Sequence, residues 1–175
     1  MEIKTEGLFY PGERVAIALS GGKDSVMLFD VLLKKEKELN IEVLAINVEH
    51  GIRGVSSVSD SFFVKKLCDN AGKRLLSYSV DAPAYAREKK MSLETAARDL
   101  RYKCFFGAIK DGLCDKIATA HHADDDAESV LLNIFRGSGA AGLSGIAESS
   151  YDGKIVRPML SVTRKQIDAY IAQNR

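Results

Sequence analysis

The run Val15-Ala16-Ile17-Ala18-Leu19 is apolar at every position. It empties into Ser20-Gly21-Gly22-Lys23-Asp24-Ser25, after which Val26, Phe29, Leu32 and Leu33 recur at helical spacing. This reads as a strand, a tight Gly-Gly turn and a helix. A strand apolar on both sides needs cover on both faces, which belongs to the middle of a parallel sheet. Gly21 and Gly22 can take backbone angles that let a ligand approach closely. The unpaired N–H groups of the following helix point at that ligand, and the helix dipole favours an anion there. Ser20 and Ser25 add hydroxyl donors and Lys23 a point charge, so the loop reads as a phosphate site. Asp24 is the odd letter, an acid where an anion is expected.

The loop is not a nucleotide motif of the commonest kinds. A Walker A pattern needs Gly where Ile17 stands and Ser or Thr where Asp24 stands, and the spacing is not G-x-G-x-x-G. A plain Gly-rich turn capped by Ser or Asp would need only part of the motif. Elsewhere, further strands are expected at 42–48, 73–80, 116–119 and 154–156 beside the first at 14–19. Helical periods fall at 25–39, 57–71, 93–110, 123–135 and 163–174, with Thr163 as the cap of the last. Alternating strands and helices of these lengths predict an α/β fold, a doubly wound, mostly parallel five-stranded sheet with helices on both faces.

The bulk properties narrow the class. The 175 residues fit one domain with a substantial core. No apolar run approaches the ~20 residues of a membrane span, and the charged first dozen residues lack a signal peptide's apolar stretch. The expectation is a cytoplasmic protein that does not insert into membranes. Cys68, Cys104 and Cys114 are odd in number and form no C-x-x-C pair, against a disulfide framework or structural zinc. The formal net charge of +1 neither supports nor excludes a nucleic-acid partner.

Three further places carry chemistry. His50 and Arg53 follow the second expected strand and either contact a nucleotide or are a loop histidine and a solvated arginine. Arg98 and Arg101, three apart on one helix face, suit phosphate oxygens bidentately; alternatively Glu94 and Arg98 form an ordinary i,i+4 pair. In His121-His122-Ala123-Asp124-Asp125-Asp126-Ala127-Glu128-Ser129 the acids crowd a helix start. Capping explains one or two of them, whereas Asp125 and Glu128, at i,i+3, share a face. A zinc site from His121, His122, Asp124 and Asp125 is poor, because neighbours at a strand end diverge.

The loop SGGKDS resembles the signature of the PP-loop ATP pyrophosphatases, a Rossmann-like fold of the adenine nucleotide alpha hydrolase type. That family cleaves ATP between its α- and β-phosphates. The stretches NVEHGIRG, MSLETAARDLRYKCF, IATAHHADDDAESVLLNIFRGSGAAGLSGI and IVRPML follow in order. Together they resemble the N-terminal catalytic domain of the tRNA(Ile)-lysidine synthetases. The resemblance implies ATP and Mg²⁺ as cofactors and a cytidine-bearing tRNA(Ile) and free L-lysine as partners. The wobble cytidine is adenylated at its C2 oxygen with loss of pyrophosphate, and the amine of lysine then displaces AMP. It further implies that Ser20, Gly21, Gly22, Lys23, Asp24 and Ser25, with His50 and Arg53, hold the nucleotide. Asp24 and Asp124 would serve the metal, and Asp24, Arg98, Arg101, His121 and Asp124 the chemistry. Asp125 and Glu128 would grip the ammonium groups of lysine, and Arg136 and Ser138 would touch the tRNA.

Three letters in two motifs depart from the family's usual HADDQAET and VDHG: here Asp126 and Ser129 replace the amide and the threonine, and Glu49 the aspartate. The last helix ends abruptly, which suggests one PP-loop catalytic domain, 1–175, truncated before further tRNA-binding parts. A homodimer is left open. Two other readings stand beside this one. The first is a tRNA thiolase of the same superfamily, which would need cysteine or iron–sulfur spacing that the chain lacks. The second is a nucleotide-binding module without catalysis.

Overall fold

The computed structural model describes residues 2–52, 55–138 and 143–174. In chain order the elements are β1 (Arg14–Ala18), α1 (Lys23–Leu39), β2 (Glu42–Glu49), α2 (Val55–Ala71), β3 (Leu75–Ser79) and α3 (Ala82–Lys89). They continue with α4 (Leu93–Lys110), β4 (Lys116–Ala118), α5 (Ala123–Phe135), β5 (Ser149–Ser150), β6 (Ile155–Val156) and α6 (Arg164–Gln173). The sheet runs β3-β2-β1-β4-β6-β5. All pairings are parallel except β5 with β6.

Side-chain alternation along the strands decides the layering. Val15, Ile17 and Leu19, Val43 and Ala45, Ala118 and Val156 face one way, against Met27, Leu28, Phe29 and Leu32 of α1, Val64 and Cys68 of α2 and Ile167 of α6. Ala16, Leu44, Ile46, Ile117 and Ile155 face the other way, against Tyr102, Phe105 and Ala108 of α4. Both faces are therefore covered, and the strands are buried as unbroken apolar runs. Because β2 and β3 lie to one side of β1 and β4 and β6 to the other, the strand order reverses beside β1. A crevice opens there at the carboxyl ends.

The expected α/β class, parallel order and two-sided cover hold; the count of five strands does not. The sixth, β5, is two serines paired antiparallel to β6, too short and too polar to show a strand period. Its turn runs through Tyr151, Asp152 and Gly153, all at positive φ. Helix α3 was also not among the expected elements. Its eight residues have no apolar period, and it exists because Asp81 accepts the Ala84 N–H and Pro83 stands in its first turn. Helix α1 begins at Lys23, two residues earlier than expected, so Asp24 lies inside its first turn. The third strand is trimmed to Leu75–Ser79. Helices α4 and α5 match their expected spans, and Thr163 does cap α6, accepting from the Gln166 N–H.

Phe29 is 1% exposed at the centre of the α1 layer. Phe29→Ala is expected to cost about 3–5 kcal/mol, read as a lower urea midpoint at unchanged slope.

Candidate functional site

A cleft of about 930 Å³ lies over the carboxyl ends of β1, β2 and β4. Its floor is the 20–25 loop, and its walls come from the residues after β2, one face of α4 and the first turns of α5. The loop is braced from within. The Ser25 hydroxyl donates to the Gly22 carbonyl at 2.9 Å and accepts the Ser20 N–H at 3.2 Å. Ser25 is thus a buried strut, while Ser20, Gly21 and Gly22 line the open cleft. Gly21 sits at φ 86°, an angle that favours glycine. Gly22 starts α1 with no side-chain cap, so the first N–H groups of that helix remain available to an anion.

Asp24 lines this floor. Its Oδ1 is buried and has no hydrogen-bond partner. A carboxylate oxygen desolvated without a partner is costly, and next to a turn whose N–H groups are open to an anion it suits a hard cation. A protein-built metal cage is another matter: among the described residues no three His, Cys, Asp or Glu side chains gather to hold an ion. Magnesium needs no such cage, since it takes one or two carboxylates and completes its shell from phosphate and water. Asp24 fits that demand; the four-residue zinc site does not form.

The three consecutive acids of α5 go to three different backbone donors. Asp124 accepts the Arg164 N–H at the start of α6, which holds its carboxyl below the usual range; it does not line the cleft. Asp125 accepts the His122 N–H in a reciprocal cap while lining the cleft. Asp126 accepts the Ile146 N–H and lies so close to Gly145 that a Cβ there would fall 2.2 Å from its Oδ1. Of the acids of α5, only Glu128, exposed and lining the cleft, has no backbone donor among the described residues and keeps its whole carboxylate open beside Asp125.

The cations are divided too. Lys23 turns away from the floor and pairs with Asp168 of α6. Arg98 is exposed and stacks over the Tyr102 ring at 5.2 Å, outside the cleft lining. Arg101 does line the cleft. Among the described residues no carboxylate pairs with it, and burial lowers its pKa. Arg157, from the IVRPML stretch, is a buried guanidinium held by the Ala147 carbonyl and the Ser150 hydroxyl, and its Nε has no partner. It adds positive potential behind His121. His50 lines the cleft with a buried, unpartnered Nδ1, its pKa lowered by burial and then by Arg101. Arg136 and Ser138 are exposed beyond the end of α5 and do not line the cleft; Arg53 lies outside the described residues.

Sequence reasoning passed over several cleft residues. Asn47 donates to the Leu19 carbonyl at 2.7 Å and closes β1 onto β2; Ser61, Thr119, Ser129 and Ile146 also line the walls. The doubled histidine marks one half-buried and one fully buried imidazole. Thr119 Oγ1 lies 2.9 Å from His121 Nδ1, and His122, 1% exposed, caps α5.

A family model described as the PP-loop domain matches residues 2–175. The tRNA(Ile)-lysidine synthase of Porphyromonas gingivalis is 43% identical over 174 residues, which are 99% of this chain and 37% of that protein. That of Clostridioides difficile is 40% identical over 169 residues, 96% of this chain and 36% of that protein. The chain thus spans little more than a third of the length of these curated relatives. Among solved structures, the U34-tRNA thiolase of Methanococcus maripaludis with its 4Fe–4S cluster superposes with a TM-score of 0.80. It is 21% identical and covers 97% of this chain and 60% of its own. That likeness is one of fold.

His121 sets a pH dependence. Burial first, then Arg157, Arg101 and Arg98 against the opposing Asp125, push it down to about 4. Unfolded, it titrates near its ordinary ~6.5. Between these values the unfolded chain binds a proton that the folded chain refuses, so stability falls as pH drops from about 6.5 to about 4. His121→Gln is expected to remove up to roughly 3 kcal/mol of that loss, measured by urea unfolding at pH 7 and pH 4.5.

Proposed function

The chain belongs to the PP-loop domain family, and from that premise we propose that it is the nucleotide-activating part of a tRNA(Ile)-lysidine synthase. The observation that carries this reading is a single cleft lined both by the 20–25 loop and by Asp125 and Glu128. The activating site and an ammonium-binding site would then share one space.

In this reading ATP lays its pyrophosphate end on Gly21, Gly22 and the uncapped start of α1. Asp24, whose Oδ1 is buried and unpartnered, would hold Mg²⁺, which would supply charge neutralisation for the departing pyrophosphate. The C2 oxygen of the wobble cytidine attacks the α-phosphorus, the bond to the β-phosphate oxygen breaks, and pyrophosphate leaves. Arg101 faces the cleft without a carboxylate partner among the described residues, so its full charge is available to the pentavalent transition state. Asp125 and Glu128 then hold the ammonium of lysine while its reacting amine attacks C2. The C2–O bond breaks and AMP departs. His121 lines the cleft and, because its surroundings disfavour the imidazolium, would pass the proton that the amine loses on to solvent rather than keep it.

Lysine, rather than sulfur, as the acceptor is supported by the thiols. Cys68, Cys104 and Cys114 line no part of the cleft, and burial raises the pKa of each, to about 11 for Cys68 and Cys114. None is poised as a thiolate carrier.

Incubating the chain with ATP, Mg²⁺, tRNA(Ile) and radiolabelled lysine tests the reading. Label is expected in the tRNA, with AMP and pyrophosphate as products. Sulfur incorporation from a persulfide donor would establish the thiolase, and nucleotide binding without either product would establish a binding module. Glu128→Gln is expected to raise the KM for lysine about 10- to 100-fold, the cost of one charged contact. ATP affinity should stay unchanged; a loss of ATP binding with unaltered lysine KM would remove Glu128 from the lysine site. Asp24→Ala should slow pyrophosphate release by roughly 100-fold or more while the fold survives.

A further inference from the structure

His122 is more completely buried than any other ionisable side chain near the cleft, at 1% exposure, and it stands outside the chemistry above. Its imidazole is fixed from one side. The Asp125 N–H donates to Nδ1 at 3.4 Å, and the Asp125 carboxylate accepts the His122 N–H at 3.0 Å. A ring nitrogen that accepts a hydrogen bond carries no proton, so in this arrangement the ring proton sits on Nε2. Nε2 lies 3.9 Å from Asp24 Oδ2, on α1 across the crevice. Asp24's other oxygen, Oδ1, is the buried one without a partner.

We infer that His122 is a positioning residue for Asp24: its Nε2–H engages Oδ2 and so presents Oδ1 to the Mg²⁺ of the nucleotide. This rests on the PP-loop reading above and adds a residue to it. The separation of 3.9 Å is longer than a hydrogen bond, and such contacts commonly tighten when a ligand fills the site. A carboxylate with one oxygen taken by an N–H donor has one orientation left for a cation, as in the histidine–carboxylate relays around bound metals. The burial of the ring supports the same view. An N-cap needs only a small polar side chain, and the Asp125 N–H could be served by asparagine. The imidazole spans from the α5 cap to the α1 carboxylate, which the cap alone does not require.

Two substitutions divide the ring's two nitrogens. His122→Asn keeps an acceptor near Nδ1 and loses the donor at Nε2. His122→Gln keeps a donor near Nε2 and loses the cap. The readout is ATP affinity by calorimetry with Mg²⁺ and with EDTA, expressed as a ratio for each protein, so that a partly unfolded sample lowers both terms alike. Asp24→Asn serves as the control that lacks the metal carboxylate. The unsubstituted protein should prefer ATP with Mg²⁺, and Asp24→Asn should abolish that preference. His122→Asn should reduce it about 10- to 100-fold, the usual effect of losing such a support, and His122→Gln should retain most of it. If His122→Asn keeps the full preference, or the two variants lose it equally, the inference is overturned and His122 is a cap. If the unsubstituted protein binds no ATP, or Asp24→Asn keeps the preference, the reading beneath it fails as well.

Discussion

A parallel strand covered on both faces has polar groups free only at its ends, and β1 is such a strand. Val15, Ala16 and Ile17 are wholly buried, with α1 packed on one face and α4 on the other. Everything polar that the chain brings to this region must therefore collect beyond Leu19. The strand order reverses at the same place, so the loops after β1 and β4 diverge and leave the cleft between them. The 20–25 loop and the HHADDD stretch meet because each terminates one of two adjacent parallel strands.

That meeting imposes a division of labour among like residues. Three successive carboxylates in one turn would repel one another if they faced a common ligand. Asp124, Asp125 and Asp126 instead reach the N–H groups of Arg164, His122 and Ile146. Two of the three are spent fastening α6 and the segment at Ile146 to the rim of the cleft. The arginines divide likewise, with Arg98 stacked outside on Tyr102 and Arg101 facing in. Residues three apart on a helix share a face only loosely, and the edge of the cleft falls between these two.

Much of the fold was legible. Unbroken apolar runs and the 3.6-residue period placed five strands and five helices, because burial on both faces of a sheet and on one face of a helix imposes these patterns. What escaped notice was held by local polar contacts instead. Helix α3 rests on the Asp81 cap and Pro83, and β5 on a turn at Tyr151 and Asp152 whose backbone angles no hydrophobic pattern encodes. In the site, Gly21, Gly22 and Asp24 stood out because their residue types are expensive anywhere else. Asn47 and Ser61 did not, since an Asn or Ser near a strand or in a helix has many uses.

By itself, the sequence determined the class of fold, the Gly-Gly turn after β1 and the family, since each depends on short stretches whose pattern is local. Tertiary structure decided which members of each cluster face the cleft. Lys23 lies in the loop but turns to Asp168; His122, one letter of a doubled histidine, reaches from the α5 cap towards Asp24. Those choices depend on which distant backbone donors and carboxylates the packing of α1, α5 and α6 brings within a few ångströms. Spacing along one segment does not carry that information.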